Sequence, residues 1–176
     1  MRAVALPDPS FALSASRDGT TRIWKQTSSS PPTYDATESS HGASFKTCLV
    51  YAPEVKGYPE GLIFSGGQDG LVEARQPGTA SERDADGLMI GHANQVCSLD
   101  VNIEAGYVVS GSWDKTAKVW QLGRWEPEVE LNGHEGSVWA VVAYGGDTIV
   151  TGKEISETLT TSPTLYRMCR SWDPRL

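Results

Sequence analysis

The sequence predicts an all-β chain built from a repeated unit of four short strands, and three observations carry that expectation. Three segments align without gaps: Ser14 to Trp24 (SASRDGTTRIW), Ser65 to Arg75 (SGGQDGLVEAR) and Ser110 to Trp120 (SGSWDKTAKVW), so that Asp18, Asp69 and Asp114 stand 51 and 45 residues apart. Each segment follows a short run of β-formers: Phe11-Ala12-Leu13, Leu62-Ile63-Phe64 and Tyr107-Val108-Val109. His41, His92 and His134 recur 51 and 42 residues apart, each with an apolar residue four positions on (Phe45, Val96, Val138) and another seven on (Cys48, Leu99, Val141). Four strands in forty-odd residues make one blade of a β-propeller, and the chain holds about three and a half four-stranded blades of one.

The units run over about 1–40, 41–90, 91–132 and 133–152. In unit one the run from Phe11 leads through the turn at Asp18 to a strand ending in Trp24, and the polar stretch Gln26 to Ser40 follows as a solvated connection. Val4 stands where Cys48, Leu99 and Val141 stand in later units, so Met1 falls inside the first strand and the His of this unit is missing. Unit two begins at His41, preceded by Ser40 rather than Gly, and puts Arg75 where units one and three have Trp. The acidic stretch Pro77 to Gly87 reads as a wet loop. Unit three is complete, with Gly91-His92, Ser110 or Ser112, Asp114 and Trp120. Unit four keeps Gly133-His134, the strand Val138 to Tyr144 and the run Thr148 to Gly152, and then puts Ile155 in the Asp place and Thr161 in the Trp place. Residues 153–176, rich in Thr and Ser, show no strand alternation; this tail is expected to be non-repeat and disordered, and its Trp172-Asp173 has no repeat around it. The array is thus expected to be cut at both ends.

Composition narrows the functional classes. Fifteen Lys and Arg against 22 Asp and Glu give a net charge of −7, which is the wrong sign for neutralising phosphates, so no nucleic-acid partner is expected. The longest apolar stretch, Val138 to Tyr144, is a buried strand and far short of the roughly 20 residues that span a bilayer, so no membrane association is expected either. No basic region followed by an apolar segment opens the chain. Cys48, Cys97 and Cys169, an odd number widely spaced, read as reduced thiols of a cytoplasmic or nuclear protein. No His or Cys pair has metal-ligand spacing beyond His92 and Cys97, so neither a metal nor another cofactor is expected.

The Ser, Asp, Trp and Gly-His register resembles the WD-repeat family, although its Trp-Asp dipeptide is here Trp24-Lys25, Arg75-Gln76 and Trp120-Gln121. The His precedes the first strand of a blade and the Asp lies in the turn between the second and third, so both sit at one end. A buried Asp can accept from the His ring, held in turn by a hydroxyl and the Trp indole. Asp18, Trp24, His41, Asp69, His92, Ser110, Asp114, Trp120 and His134 are therefore read as structural. A repeated Ser, His and Asp set is no hydrolase, and no Gly-x-Ser-x-Gly turn occurs, so no catalytic residue is assigned.

Residues Val4 to Trp24, Gly61 to Arg75 and Gln121 to Pro127 resemble, more narrowly, the amino-terminal propeller of the phospholipase A-two-activating protein family. That resemblance implies binding of ubiquitin or ubiquitinated proteins in ubiquitin-dependent degradation. It also implies a hexameric segregase ATPase as a partner of domains that lie beyond this sequence. A general WD-repeat scaffold for another complex is the alternative, as is a product without independent function.

Strand alternation leaves the residues three and five positions after each His to line the channel mouth: Ser44 and Lys46, Gln95 and Cys97, Ser137 and Trp139, with Arg2 matching in unit one. Arg17, Gln68 and Trp113, each just before an Asp, lie on turns at the same rim. The protein-binding candidates are Arg2, Arg17, Lys46, Gln68, Gln95, Trp113 and Trp139. Trp113 and Trp139 lead because Trp is enriched at binding hot spots; both also fit as packing residues between adjacent blades.

Overall fold

The computed structural model describes residues 11–41, 44–77, 86–144, 148–153 and 168–171. Arg2, Ile155, Thr161 and the Trp172-Asp173 pair lie outside the described residues. Among the described residues fourteen strands form four antiparallel sheets, each a meander in chain order. Sheet 1 holds β1 (Phe11–Ala15), β2 (Thr20–Ser29) and β3 (Pro32–His41); sheet 2 holds β4 (Lys46–Ala52), β5 (Leu62–Gly67), β6 (Val72–Arg75) and β7 (Gly87–Met89). Sheet 3 holds β8 (Val96–Asn102), β9 (Tyr107–Ser112), β10 (Ala117–Gln121) and β11 (Pro127–Leu131); sheet 4 holds β12 (Val138–Tyr144), β13 (Thr148–Lys153) and β14 (Met168–Ser171). No helix among the described residues is long and apolar enough to cross a membrane.

Three apolar clusters lie between successive sheets. Leu13 and Ile23 of sheet 1 meet Ile63 of sheet 2. Leu62, Phe64, Val72, Ala74 and Met89 of sheet 2 meet Val96, Val108 and Trp120 of sheet 3. Tyr107, Val109, Ala117 and Val119 of sheet 3 meet Val138, Val141 and Ile149 of sheet 4. Period-two alternation produces this division, since Val108 and Trp120 face back to sheet 2 while Tyr107, Val109 and Val119 face on to sheet 4. The sheets approach closely at two equivalent glycines. A Cβ on Gly66 would stand 2.7 Å from Val96 Cγ1, and one on Gly111 2.8 Å from Val138 Cγ1.

The Asp-containing turns share one geometry. Gly19, Gly70 and Lys115, each following the Asp, have φ of 84, 79 and 74°, and their N–H groups donate to the carbonyls of Ser16, Gly67 and Ser112. The left-handed residue closes a tight hairpin and is ordinarily a glycine.

Two expectations change. Residues 168–171, which the sequence places in a tail without strands, pair with β13 as a third strand of sheet 4. The exposed edge of β13 offers unpaired backbone groups to any extended segment, and composition does not report this. The alignment of unit two on His41 is also off by one residue. Inner strands β4, β8 and β12 each carry a bulge, between Lys46 and Cys48, Val96 and Ser98, and Val138 and Ala140. Lys46 lies opposite Gly67 as Val96 lies opposite Ser112, so Lys46 is the counterpart of Val96 and Val138. His41, the last residue of β3, is not in the register of His92 and His134. A slip of one residue flips every side chain to the other face, and Lys46 is accordingly 2% exposed rather than at the channel mouth.

Candidate functional site

The turns and the loops leading into the inner strands form a continuous rim. Lys46 N–H donates to Ser16 O at 3.1 Å, tying the start of sheet 2 to the turn of sheet 1. Gln68 N–H donates to Phe45 O and Trp113 N–H to Gln95 O, both at 2.9 Å. These paired bonds make Phe45 the counterpart of Gln95. Gly70 completes the contact, because a Cβ there would stand 2.6 Å from His92 O of sheet 3.

Of the rim candidates, Arg17 and Gln68 are exposed, Gln95 and Trp139 half-buried, and Trp113 39% exposed. The indoles of Trp113 and Trp139 pack on each other across sheets 3 and 4, with ring centroids 5.4 Å apart at 55°. The two tryptophans thus pack between blades and still leave one ring open to solvent. Trp139 is the bulge residue of β12, and a bulge re-aims its side chain. Cys97, the bulge residue of β8, is buried with its thiol directed to Gln95 O, so it does not line the mouth. Lys46 leaves the exposed set as well, its Nζ lying 2.8 Å from Glu73 Oε1.

Phe45 is the rim residue that the histidine alignment missed: it was expected to be buried and is 49% exposed. Counting back from the turn at Asp69, rather than forward from His41, puts Lys46 opposite Gly67 and Phe45 on the rim.

Beneath the rim, sheet 3 carries a complete hydrogen-bonded chain. Trp120 Nε1–H donates to Ser110 Oγ at 2.8 Å, Ser110 lies 2.7 Å from His92 Nε2, and His92 Nδ1 lies 2.7 Å from Asp114 Oδ2. Thr116 Oγ1 and its N–H donate to Asp114 Oδ1 at 2.7 and 2.9 Å, and Ala93 N–H to Oδ2 at 3.0 Å. Burial pushes His92 below its ordinary value, outweighing the bond and charge of Asp114. Burial pushes the other way on Asp114, but the bonds from Thr116 and His92 prevail and hold it at about 2. A neutral imidazole with its proton on Nδ1 satisfies every partner: the Ser110 hydroxyl donates to Nε2, and Nδ1–H donates to the Asp114 carboxylate. Ser110 is fully buried, and its oxygen is committed to Trp120 and His92. It is a structural pin with no access for a substrate.

The other sheets hold variants of this chain. Trp24 Nε1–H donates to Ser14 Oγ at 2.8 Å, and the side-chain and backbone bonds from Thr20 hold exposed Asp18 at about 2. In sheet 4 His134 Nε2 meets Thr151 Oγ1 at 2.7 Å, and burial, with Lys153 nearby, lowers this His too. Sheet 2 has Asp69 accepting from Leu71 N–H at 3.1 Å, and in the Trp place it has Arg75, which with Lys46 faces Glu73, at 3.5 and 2.8 Å. No group of three or more His, Cys, Asp or Glu able to hold a metal occurs among the described residues.

The WD domain, G-beta repeat family matches residues 3–25 and 87–121. The ubiquitin homeostasis protein lub1 of Schizosaccharomyces pombe is 38% identical over 113 residues, 63% of this chain and 14% of its own length. The phospholipase A-2-activating protein of Xenopus laevis is 36% identical over 129 residues, 73% of this chain and 15% of its own. The chain therefore spans a small part of the curated relatives it matches. Among solved structures, the WD40 β-propeller domain of Doa1 superposes with a TM-score of 0.69 at 31% identity, over 85% of this chain and 47% of that domain. With four meander sheets, Asp turns in three of them in register and a His-Ser-Trp pin complete in sheet 3, the chain is a WD-repeat protein whose sheets resemble the propeller of the phospholipase A-2-activating protein family.

Proposed function

We propose that the chain is a protein-interaction module whose rim binds ubiquitin or ubiquitinated proteins. The observation that carries this reading is the Trp113–Trp139 pair, an aromatic surface held rigid by its own packing and open on one side. A rigid indole loses little conformational freedom on binding and can dehydrate a partner's apolar patch. The choice of partner is supported by the ubiquitin homeostasis protein lub1, whose name links a similar sequence to ubiquitin. A segregase ATPase as a further partner of the longer protein rests on the family resemblance alone. The Ser, His and Asp side chains beneath the rim serve the fold, and the function proposed is binding without catalysis.

The test is a titration of isotopically labelled ubiquitin with the chain, followed by NMR. Wild type is expected to shift a contiguous apolar patch of ubiquitin, and Trp113→Ala to weaken binding by about 2 kcal/mol, roughly thirtyfold. Absence of any shift at millimolar concentration overturns the ubiquitin assignment, and an unchanged Trp113→Ala affinity overturns the anchor.

A further inference from the structure

We infer that Phe45 is a second apolar anchor of the rim, held outward by the buried Lys46–Glu73 ion pair beneath it; this rests on the ubiquitin reading above. Two consecutive residues have their polarity reversed. Phe45 is 49% exposed and Lys46 2%. A shift of β4 by one residue would bury the phenyl ring and free the ammonium, because side chains alternate with period two. The strand does not shift, and its restraints are visible.

Lys46 Nζ lies 2.8 Å from Glu73 Oε1, with the Lys46 side chain 1% and that of Glu73 14% exposed. Glu73 stands four residues after Asp69, where sheets 1 and 3 carry Arg22 and Lys118 four residues after Asp18 and Asp114. Sheet 2 thus has a cation where its neighbour has Val96, and an acid where its neighbours have cations. The two departures answer each other, and together they allow a lysine to occupy a core position. Lys46 N–H is fixed to Ser16 O at 3.1 Å, and Phe45 O receives Gln68 N–H at 2.9 Å. At the bulge that follows, Thr47 Oγ1 donates to Gly66 O at 3.1 Å and also contacts Val96 O. The backbone on both sides of the phenyl ring is pinned while the ring itself faces solvent.

Places where local rules are broken in a compensated way are where function is expected. Phe45 occupies the register of Gln95, so the rim presents one apolar group on sheet 2 and the Trp113–Trp139 pair at sheets 3 and 4. A partner that fits both has two apolar contact points separated by a polar strip, with Gln68 beside Phe45 and Gln95 beside Trp113. Phe45 is the contacting residue in this assignment, and Lys46 and Glu73 are positioning residues.

The experiment compares ubiquitin binding by wild type, Phe45→Ala, Phe45→Trp, Glu73→Gln and the conservative Glu73→Asp, using the whole chain with folding checked by circular dichroism. Phe45→Ala is expected to bind about thirtyfold more weakly, the ratio for loss of a hot-spot side chain, and Phe45→Trp to bind within a few-fold of wild type. Glu73→Gln should weaken binding about tenfold, whereas Glu73→Asp, which keeps a carboxylate between Lys46 and Arg75, should bind within a few-fold of wild type. If wild type binds and Phe45→Ala binds equally well, the anchor is refuted while the ubiquitin reading stands. If Phe45→Ala weakens binding but a folded Glu73→Gln does not, the positioning role is refuted. If wild type does not bind ubiquitin, the function proposed above fails and this inference fails with it.

Discussion

Sheets 2 and 3 are built on the same frame and closed by different chemistry. Both are four-stranded meanders with an Asp turn, a left-handed residue after the Asp, a bulge in the inner strand and a glycine at the closest approach of the next sheet. On the face turned to the preceding sheet they diverge. Sheet 3 buries a neutral chain, Trp120 to Ser110 to His92, ending on the Asp114 carboxylate at the rim. Sheet 2 buries a cation, Lys46, and answers it with Glu73, whose carboxylate also faces Arg75. The seam behind sheet 3 is the larger apolar cluster, and the one behind sheet 2 has Leu13, Ile23 and Ile63 as its buried apolar residues among those described. The frame therefore needs the seam to be filled and its polar atoms satisfied, and does not prescribe by what.

The largest effect is expected from breaking the charged seam. Glu73→Ala leaves the Lys46 ammonium in a site 1% exposed without its carboxylate, and removal of one partner of a buried pair costs about 3 to 5 kcal/mol. The double substitution Lys46→Val with Glu73→Ala gives sheet 2 the Val of sheets 3 and 4 but still takes the carboxylate from Arg75, so it should recover part of that loss. Urea unfolding of the three proteins checks it. Equal midpoints for wild type and Glu73→Ala would show that Lys46 reaches water in solution.

A smaller effect, with a pH signature, is expected from the neutral seam. His92→Ala leaves the buried Ser110 hydroxyl without its acceptor and takes one of several donors from Asp114, at a cost of about 1 to 3 kcal/mol. In the folded chain burial lowers His92 from 6.5, so the unfolded chain binds the extra proton first. The stability due to a neutral His92 is complete above 6.5 and is lost as the pH falls from there through its lower folded value. Asp114 acts in a separate window: its folded value of about 2 against an ordinary 3.8 gives stability that is present above 3.8 and lost as the pH falls towards 2. His92→Ala should therefore flatten the stability profile below pH 6.5. His134 is also lowered by burial, so a variant in which it too is replaced separates the two contributions. A profile unchanged in His92→Ala would assign the acid sensitivity elsewhere.

The same contrast explains what could be read from sequence. The turns were legible because their chemistry is local: Asp18, Asp69 and Asp114 precede residues at positive φ, two of them glycines. The sheet 3 network was legible because His92, Ser110, Asp114 and Trp120 each have a distinctive side chain at fixed spacing. Sheet 2 was misread by one residue because His41 offered a false reference, and its seam is closed by Lys46 and Glu73, which ordinarily signify surface. The identity of a buried ion pair depends on a register that is itself set by a bulge, so spacing alone does not give it. Strand β14 was missed for a related reason, since what holds 168–171 is the open edge of β13 and not a pattern in its own residues.

The smallest effect tests the turn itself, the part that the two sheets share. Gly70 and Lys115 occupy the same position with φ of 79 and 74°. A side chain there places its Cβ against the backbone at a cost of roughly 1 to 2 kcal/mol. Lys115→Gly removes that cost but gives the unfolded chain more freedom, worth roughly 0.5 to 1 kcal/mol, so the net gain in stability should be about 0.5 kcal/mol. The reciprocal change behaves differently. Gly70→Ala meets the same strain and also puts a Cβ 2.6 Å from the carbonyl oxygen of His92, which belongs to the adjoining sheet and cannot move without pulling on the network below it. It should therefore cost more than Lys115→Gly gains, by a margin visible in thermal unfolding. If the two substitutions give equal and opposite shifts, φ alone governs the position; if Gly70→Ala is the larger, the turn of sheet 2 is fixed by its fit to sheet 3 as well as by its own backbone.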